Sequence, residues 1–220
     1  MSTTSTVSRD NLLAGDYPII QGTVTVAASQ TAARGAVVGK VTIAAGTAAA
    51  GSNTGDGAIS GFALAAGGPA KIGTYVATCV EAASDSGIFE VVDPDGILIG
   101  TLKVAGTFTG GGITFALADG STDFIVGDSF NLPVEAGSGQ VKLLDITATD
   151  GSQKFYGVLL EAVTTGSGET ASAAIAKTGE FLSQGLTFGG STVVADVVDD
   201  MRNNNCFVYT SHALENVQVS

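Results

Sequence analysis

The chain has 220 residues and a net charge of −12, from 9 basic against 21 acidic side chains, and only 14% of its residues are charged. So low a charged fraction excludes a disordered polyelectrolyte, and the acidic balance excludes a surface that grips nucleic-acid phosphates. The 31 glycines, mixed with Thr, Val and Ala, suit short strands joined by tight turns.

Residues 1–20 read as an extended N-terminal arm. Met1–Asp10 is polar and has no signal-peptide pattern. Leu12, Leu13, Asp16, Tyr17, Pro18, Ile19 and Ile20 then form an unusually apolar stretch, in which Pro18 bars a helix. Such a stretch can add as a strand to a partner or pack on its own domain, and the residues alone leave both open. Gly22–Val26 alternates as a half-buried strand should, and Val37, Gly39, Val41 and Ile43 repeat the pattern. Ala44–Asn53 and Glu135–Gln140 are small-residue stretches that read as linkers.

Between them lies a block of β signals at short spacing. Tyr75–Val80 and Ile88–Val92 read as strands, and Asp93-Pro94-Asp95-Gly96 as a turn into Ile97–Val104. Ile113, Phe115 and Leu117 share one face, as do Phe130, Leu132 and Val134. A small β-sandwich or barrel is expected here, with a light, aliphatic core given 6% aromatic residues and no Trp. Beyond it, Val141–Ile146, Phe155–Leu160 and Ala171–Ala176 read as strands. Val193, Val194, Val197, Val198 and Met201 fall at helical spacing behind Ser191 or Thr192 as N-cap. Cys206–Tyr209 is the last expected strand. The resulting division is an arm over 1–20, a discontinuous domain over 21–52 and 141–220, and an inserted β domain over 53–140.

Catalytic and cofactor patterns are poorly represented. Gly166-Ser167-Gly168-Glu169-Thr170-Ala171 matches a dinucleotide fingerprint in letters only, because no helix follows to meet a pyrophosphate; it reads as a hairpin turn. His212 is the single histidine and reads as a surface residue. Asp93, Asp95, Asp119, Asp123 and Asp128 crowd the inserted block but lack the remaining ligands of a calcium loop, so they read as turn aspartates. Cys79 and Cys206 read as free, mostly buried thiols from a reducing compartment, and the sequence leaves open a disulfide that would bring their two distant segments together. No enzyme activity, cofactor, metal, nucleic acid or membrane is expected, and apolar runs fall far short of a membrane span.

Two stretches carry a resemblance. Arg34-Gly35-Ala36-Val37-Val38-Gly39-Lys40-Val41 is followed, about a hundred residues later, by Asp150-Gly151-Ser152, Tyr156-Gly157-Val158-Leu159 and Lys177-Thr178-Gly179-Glu180-Phe181. In that order they resemble the head decoration proteins of lambda-type tailed phages, as does Leu13-Ala14-Gly15-Asp16-Tyr17-Pro18. In those proteins the two stretches lie close together. The resemblance implies a mainly β, β-tulip-like decoration domain with one short C-terminal helix, interrupted here by the inserted block. It implies a homotrimer made in the host cytoplasm, bound to the major capsid protein at three-fold axes on the outer surface of the expanded head, and bracing the shell against packaged DNA. The segment Leu12, Leu13, Asp16, Tyr17, Pro18, Ile19 and Ile20 would be the capsid-binding arm, and loss of residues 1–20 would leave a folded trimer that no longer coats heads. The inserted block would project outward and leaves room for a weak host-surface ligand. The rival reading is a surface adhesion or carbohydrate-binding module of a phage particle.

Overall fold

A computed structural model describes residues 11–210 apart from 67 and 69. In chain order the elements begin with β1 (Gln21–Val26), β2 (Thr31–Ala32) and β3 (Val37–Lys40). Then come β4 (Ile43–Ala45), β5 (Ala49–Ala50), β6 (Ile59–Leu64), β7 (Gly73–Glu81), β8 (Ile88–Val92), β9 (Leu98–Lys103), β10 (Thr107–Gly110), β11 (Ile113–Leu117) and β12 (Ser129–Ala136). The last are β13 (Val141–Leu143), β14 (Gly157–Leu159), β15 (Val163–Thr164), β16 (Ala171–Ala176), β17 (Gly179–Leu182), a 3-10 turn at Ser183–Gly185, α1 (Val194–Asn203) and β18 (Cys206–Tyr209). The fold is mainly β with one short helix near the C-terminal end, as the sequence indicates. Two compact units contain these elements. Among the described residues the first holds 11–40, 139–146 and 152–210, and the second holds 41–138 and 147–151.

The first unit is built on a closed barrel with strand order β1-β13-β3-β14-β16. β1 runs antiparallel to β16 over six residue pairs and touches β13 in parallel at Val26 and Val141. Inside lie Val26, Val38, Leu159 and Ile175. A second core in the same unit gathers Leu12, Val37, Leu144, Phe155, Phe181, Val197 and Met201. Val37 therefore serves one core and Val38 the other. This is why the run Val37-Val38-Gly39 is buried throughout instead of alternating; Ile43 belongs to β4, which pairs with β12.

Two glycines of the quoted stretches have physical reasons. Gly35 takes φ +90°, and a Cβ there would collide with the Gly185 carbonyl. Gly39 lies flat against the Ser152 backbone, whose carbonyl occupies the space of a Cβ. The backbones at Gly39 and Ser152 therefore fit together although they stand 113 positions apart in the chain.

The helix starts at Val194 with Val193 as N-cap, not Ser191 or Thr192. Thr192 is buried, and its hydroxyl already accepts the Ile146 N–H at 3.0 Å. Valine has no acceptor, so the terminus is closed from within: the Asp196 carboxylate accepts the Val193 N–H at 2.8 Å. Valines are weak helix formers, and burial of Val197 and Met201 compensates. Asn205, at φ 58°, turns the chain out of the helix into β18. β18 pairs in parallel with β17.

The second unit has two sheets. One has the order β4-β12-β7-β8-β9, with β5 also on β12; the other is β10-β11-β6. One core fills both, so the unit is a sandwich, as expected for this block. Its core is not the light aliphatic one expected. Phe89, Phe108, Phe115, Phe124 and Phe130 are all buried in it, with Phe89 and Phe124 edge-on at 5.0 Å.

The stretch Ala44–Asn53 is not a linker. Ala44 and Ala45 pair with Glu135 and Val134, and Ala49 and Ala50 pair with Asn131 and Phe130. Glu135 and Ala136 likewise belong to β12. Small side chains made both stretches look unstructured, yet backbone pairing needs no large side chain. The turn at Asp93–Gly96 forms as expected, with Asp93 Oδ1 accepting the N–H groups of Asp95 and Ile97, both at 2.9 Å.

Candidate functional site

Residues 11–20 lie along β17 of their own unit. The Leu12 carbonyl accepts the Leu182 N–H, and Ala14 donates to the Glu180 carbonyl at 2.9 Å. Leu13 bridges Phe181 in antiparallel register. Leu12 is 1% exposed and sits in the second core of the unit; Leu13 and Ile19 pack half-buried on the same cluster. Of the two outcomes the sequence leaves open, the described part of the segment takes packing on its own domain. Residues 1–10 of the expected arm lie outside the described residues.

Two side chains of β17 and its approach hold the rest of the segment. The Thr178 hydroxyl donates to the Pro18 carbonyl at 2.7 Å and accepts the Ile20 N–H at 3.0 Å. Ile20 returns its carbonyl to the Lys177 N–H at 2.8 Å. Glu180 points the opposite way from buried Phe181, as strand alternation requires. Its carboxylate accepts the Tyr17 N–H at 3.3 Å and the Tyr209 hydroxyl at 3.1 Å. That hydroxyl's bond to Glu180, reinforced by the nearby negative charge, raises the Tyr209 pKa. The Tyr17 ring packs edge-on against Phe207 at 5.2 Å.

The outer face of this arrangement carries Tyr17 at 37%, Ile20 at 60% and Tyr209 at 39% exposure, with Asp16 and Pro18 also exposed. The Tyr17 backbone and the Tyr209 hydroxyl thus meet at one carboxylate on the β17–β18 strand pair. An aromatic patch on a rigid strand pair suits protein contact, because two rings are already ordered before any partner arrives. Sequence reasoning singled out the segment from Leu12 to Ile20 and quoted Thr178 and Glu180 in a family stretch without giving them a role here, and it read Phe207 and Tyr209 only as part of the last strand.

The other candidates behave differently. Asp93, Asp95, Asp119, Asp123 and Asp128 do not converge. Asp93 and Asp95 hold Lys71 at 2.6 and 2.5 Å. Asp128 is 4% exposed and accepts the N–H groups of Thr54, Gly55 and Ile125 at 2.9, 2.9 and 3.1 Å. Burial works to raise its pKa, but these backbone donors outweigh burial and hold the carboxyl below its ordinary value. Asp119 and Asp123 meet Asp85, a residue the sequence did not single out. A hydrogen bond with Asp119 raises the Asp85 pKa. Residues 166–169 form a turn, with Glu169 N–H donating to Gly166 at 3.2 Å. It is not a hairpin: β15 pairs with β2 and β16 with β1 and β14. Cys79 and Cys206 are free and buried, and burial pushes the Cys206 thiol up to about 11. His212 lies outside the described residues. Among the described residues, no helix is long and apolar enough to cross a membrane.

No curated protein matches the chain. Two crystal structures of Xanthomonas campestris FlgL, in space groups H3 and C2, align with it at 23% and 24% identity over 52% of this chain. The alignments span 33% and 32% of those structures, and the TM-score of 0.33 in both is too low to bear on fold or function. The family described as bacteriophage lambda head decoration protein D matches residues 1–196. That span takes in the Gly35–Gly39 stretch, the Ser152 backbone fitted against it, β17 and the segment laid along it, and the chain belongs to the bacteriophage lambda head decoration protein D family, whose members are structural phage capsid proteins rather than enzymes.

Proposed function

We propose that this phage head decoration protein cements the shell as a homotrimer on the outer surface of the expanded head, at three-fold axes, and contacts the major capsid protein through its N-terminal segment. Family membership supports the capsid as the place of action. The exposed Tyr17, Ile20 and Tyr209 support the segment as the contact, because they offer large side chains at the surface where a partner can cover them. Three copies about one axis would turn a weak single contact into firm retention. The division into a host unit and a guest unit is part of the same reading, with residues 41–138 as an accessory that faces outward. Its charge supports that side of the shell. Lys71 and Lys103 stand against ten acids there, and packaged DNA would repel such a unit.

The test is decoration of expanded heads that lack this protein, followed by cryo-electron microscopy and by mass measurement of the free protein. Wild type is expected to be trimeric and to fill three-fold sites. The double substitution Tyr17→Ala, Ile20→Ser, with unchanged folding, is expected to lose occupancy, as is removal of residues 1–10. Removal of residues 1–20 is not a clean test, because it takes Leu12 out of the core. A monomer that leaves heads bare would overturn the reading.

A further inference from the structure

Three neighbouring strands of the barrel bring two lysines to one tyrosine. Lys40 ends β3, Tyr156 stands just before β14, and Lys177 follows β16, with β14 lying between the other two strands. Gly157 pairs with Val38, and Val158 with Ala176, so the three residues share one end of the barrel. The Lys177 Nζ stands 2.9 Å from the centre of the Tyr156 ring and donates to the Tyr156 carbonyl at 3.1 Å. The Lys40 Nζ is 5.4 Å from the same ring centre. All three residues are half-buried.

One lysine on a ring face is an ordinary cation–π contact. The second adds a like charge beside the first in a partly desolvated place, which costs energy unless an anion answers it. The chain has 21 acids against 9 bases, yet among the described residues no carboxylate reaches this pair. Asp93 and Asp95 hold Lys71, and Asp199 holds Arg202. The unanswered charge also acts on Tyr156: its hydrogen bond with Lys177, joined by the charge of Lys177 and Lys40, holds the phenol below its ordinary pKa.

We propose that Lys40, Tyr156 and Lys177 form an oxyanion site that takes a carboxylate from a second copy of this chain. The inference rests on the trimer proposed above and names a contact that would hold it. Two ammonium groups and a phenol hydroxyl suit the two oxygens of a carboxylate. Charge favours a second copy as the occupant. It brings the same surplus of acids, and two chains at −12 each need such an attraction to come together. A positive site meeting a negative surface is a contact between two different faces, and such contacts, repeated head to tail about an axis, close a ring.

Carbodiimide coupling of the full chain tests this, because it joins a carboxylate to an amine only where the two touch. Peptide mapping should find Lys40 or Lys177 joined to an Asp or Glu in the covalent dimer and trimer bands but not in the monomer band. The Lys40→Gln, Lys177→Gln chain should lose those links and dissociate at a roughly tenfold or more higher concentration than wild type. Lys40→Gln alone keeps the bond from Lys177 to the Tyr156 carbonyl and serves if the double variant fails to fold. A protein that weighs as a trimer but shows no such link between copies overturns the site and leaves the trimer standing. A protein that weighs as a monomer at every concentration overturns both. If the double variant stays trimeric while inorganic phosphate shifts the Tyr156 resonances of wild type, the site takes a free anion, and the second copy is overturned as its occupant.

Discussion

At Gly39 the absence of a side chain is a packing requirement, since the Ser152 carbonyl fills the space beside its Cα. Backbone cannot swing aside as a side chain can. Gly39→Ala is therefore expected to destabilise the barrel by about 2–4 kcal/mol, read as a lowered midpoint in urea, whereas alanine at Gly22, where a Cβ would meet only Ile175 Cγ2 at 3.8 Å, should cost less than half as much. Asp128 is a residue of the opposite kind, needed for what it accepts. Its carboxylate answers backbone donors from both Thr54 and Gly55 and from Ile125, tying two distant loops together. Asp128→Ala strands those donors and should cost roughly 2–4 kcal/mol. The sign of its pH dependence follows from a pKa lowered in the fold. The charged form is favoured by folding, so the contribution is complete above the ordinary aspartate value of 3.8 and is lost as pH falls through the lower folded value. The stability gap between wild type and Asp128→Asn should accordingly be full at pH 6 and close as acid is added below about pH 4. Denaturant titrations of both proteins at several pH values measure it.

Among the elements, the segment 11–20 shows what a sequence can and cannot disclose. Its apolar run and Pro18 announced an extended path. Its partner β17 lies more than 160 residues away, as in the Tyr17–Glu180 bond, and no local periodicity encodes that pairing. Leu12 is consequently part of the fold. Leu12→Ala is expected to cost about 2–4 kcal/mol and to free the segment from β17, seen as faster hydrogen exchange at Ala14 and Leu182. The strands β7, β8, β11 and β12 were legible because one face is buried and the other is not, which imposes a period of two. β3 was misread because both its faces are buried, and β4 and β5 because alanine gives no pattern. The helix was legible from its valines, but its start was not. The Thr192 hydroxyl serves the backbone of Ile146, a contact made across tertiary structure.

Charge is unevenly shared over the whole molecule. The second unit carries two lysines against eleven acids, a net −9, while the described part of the first carries six basic against eight acidic side chains, a net −2. The host–guest reading also makes a prediction about folding. Lys40 is registered opposite Val141 within the first unit, so their backbones lie within a hairpin's span. A chain with residues 41–140 replaced by Asn-Gly is expected to fold cooperatively. Well-dispersed amide resonances and a single thermal transition would establish it, and a collapsed spectrum would show that the first unit needs the second.

Ile43 faces Ala136 across an antiparallel pair in the second unit, just as Lys40 faces Val141 in the first. The two tethers are thus zipped side by side on both banks of the crossing. In the proposed host–guest reading, a cassette bounded in this way is expected to be exchangeable for a compact insert whose termini are neighbours, and the same seam is where a foreign domain would be mounted.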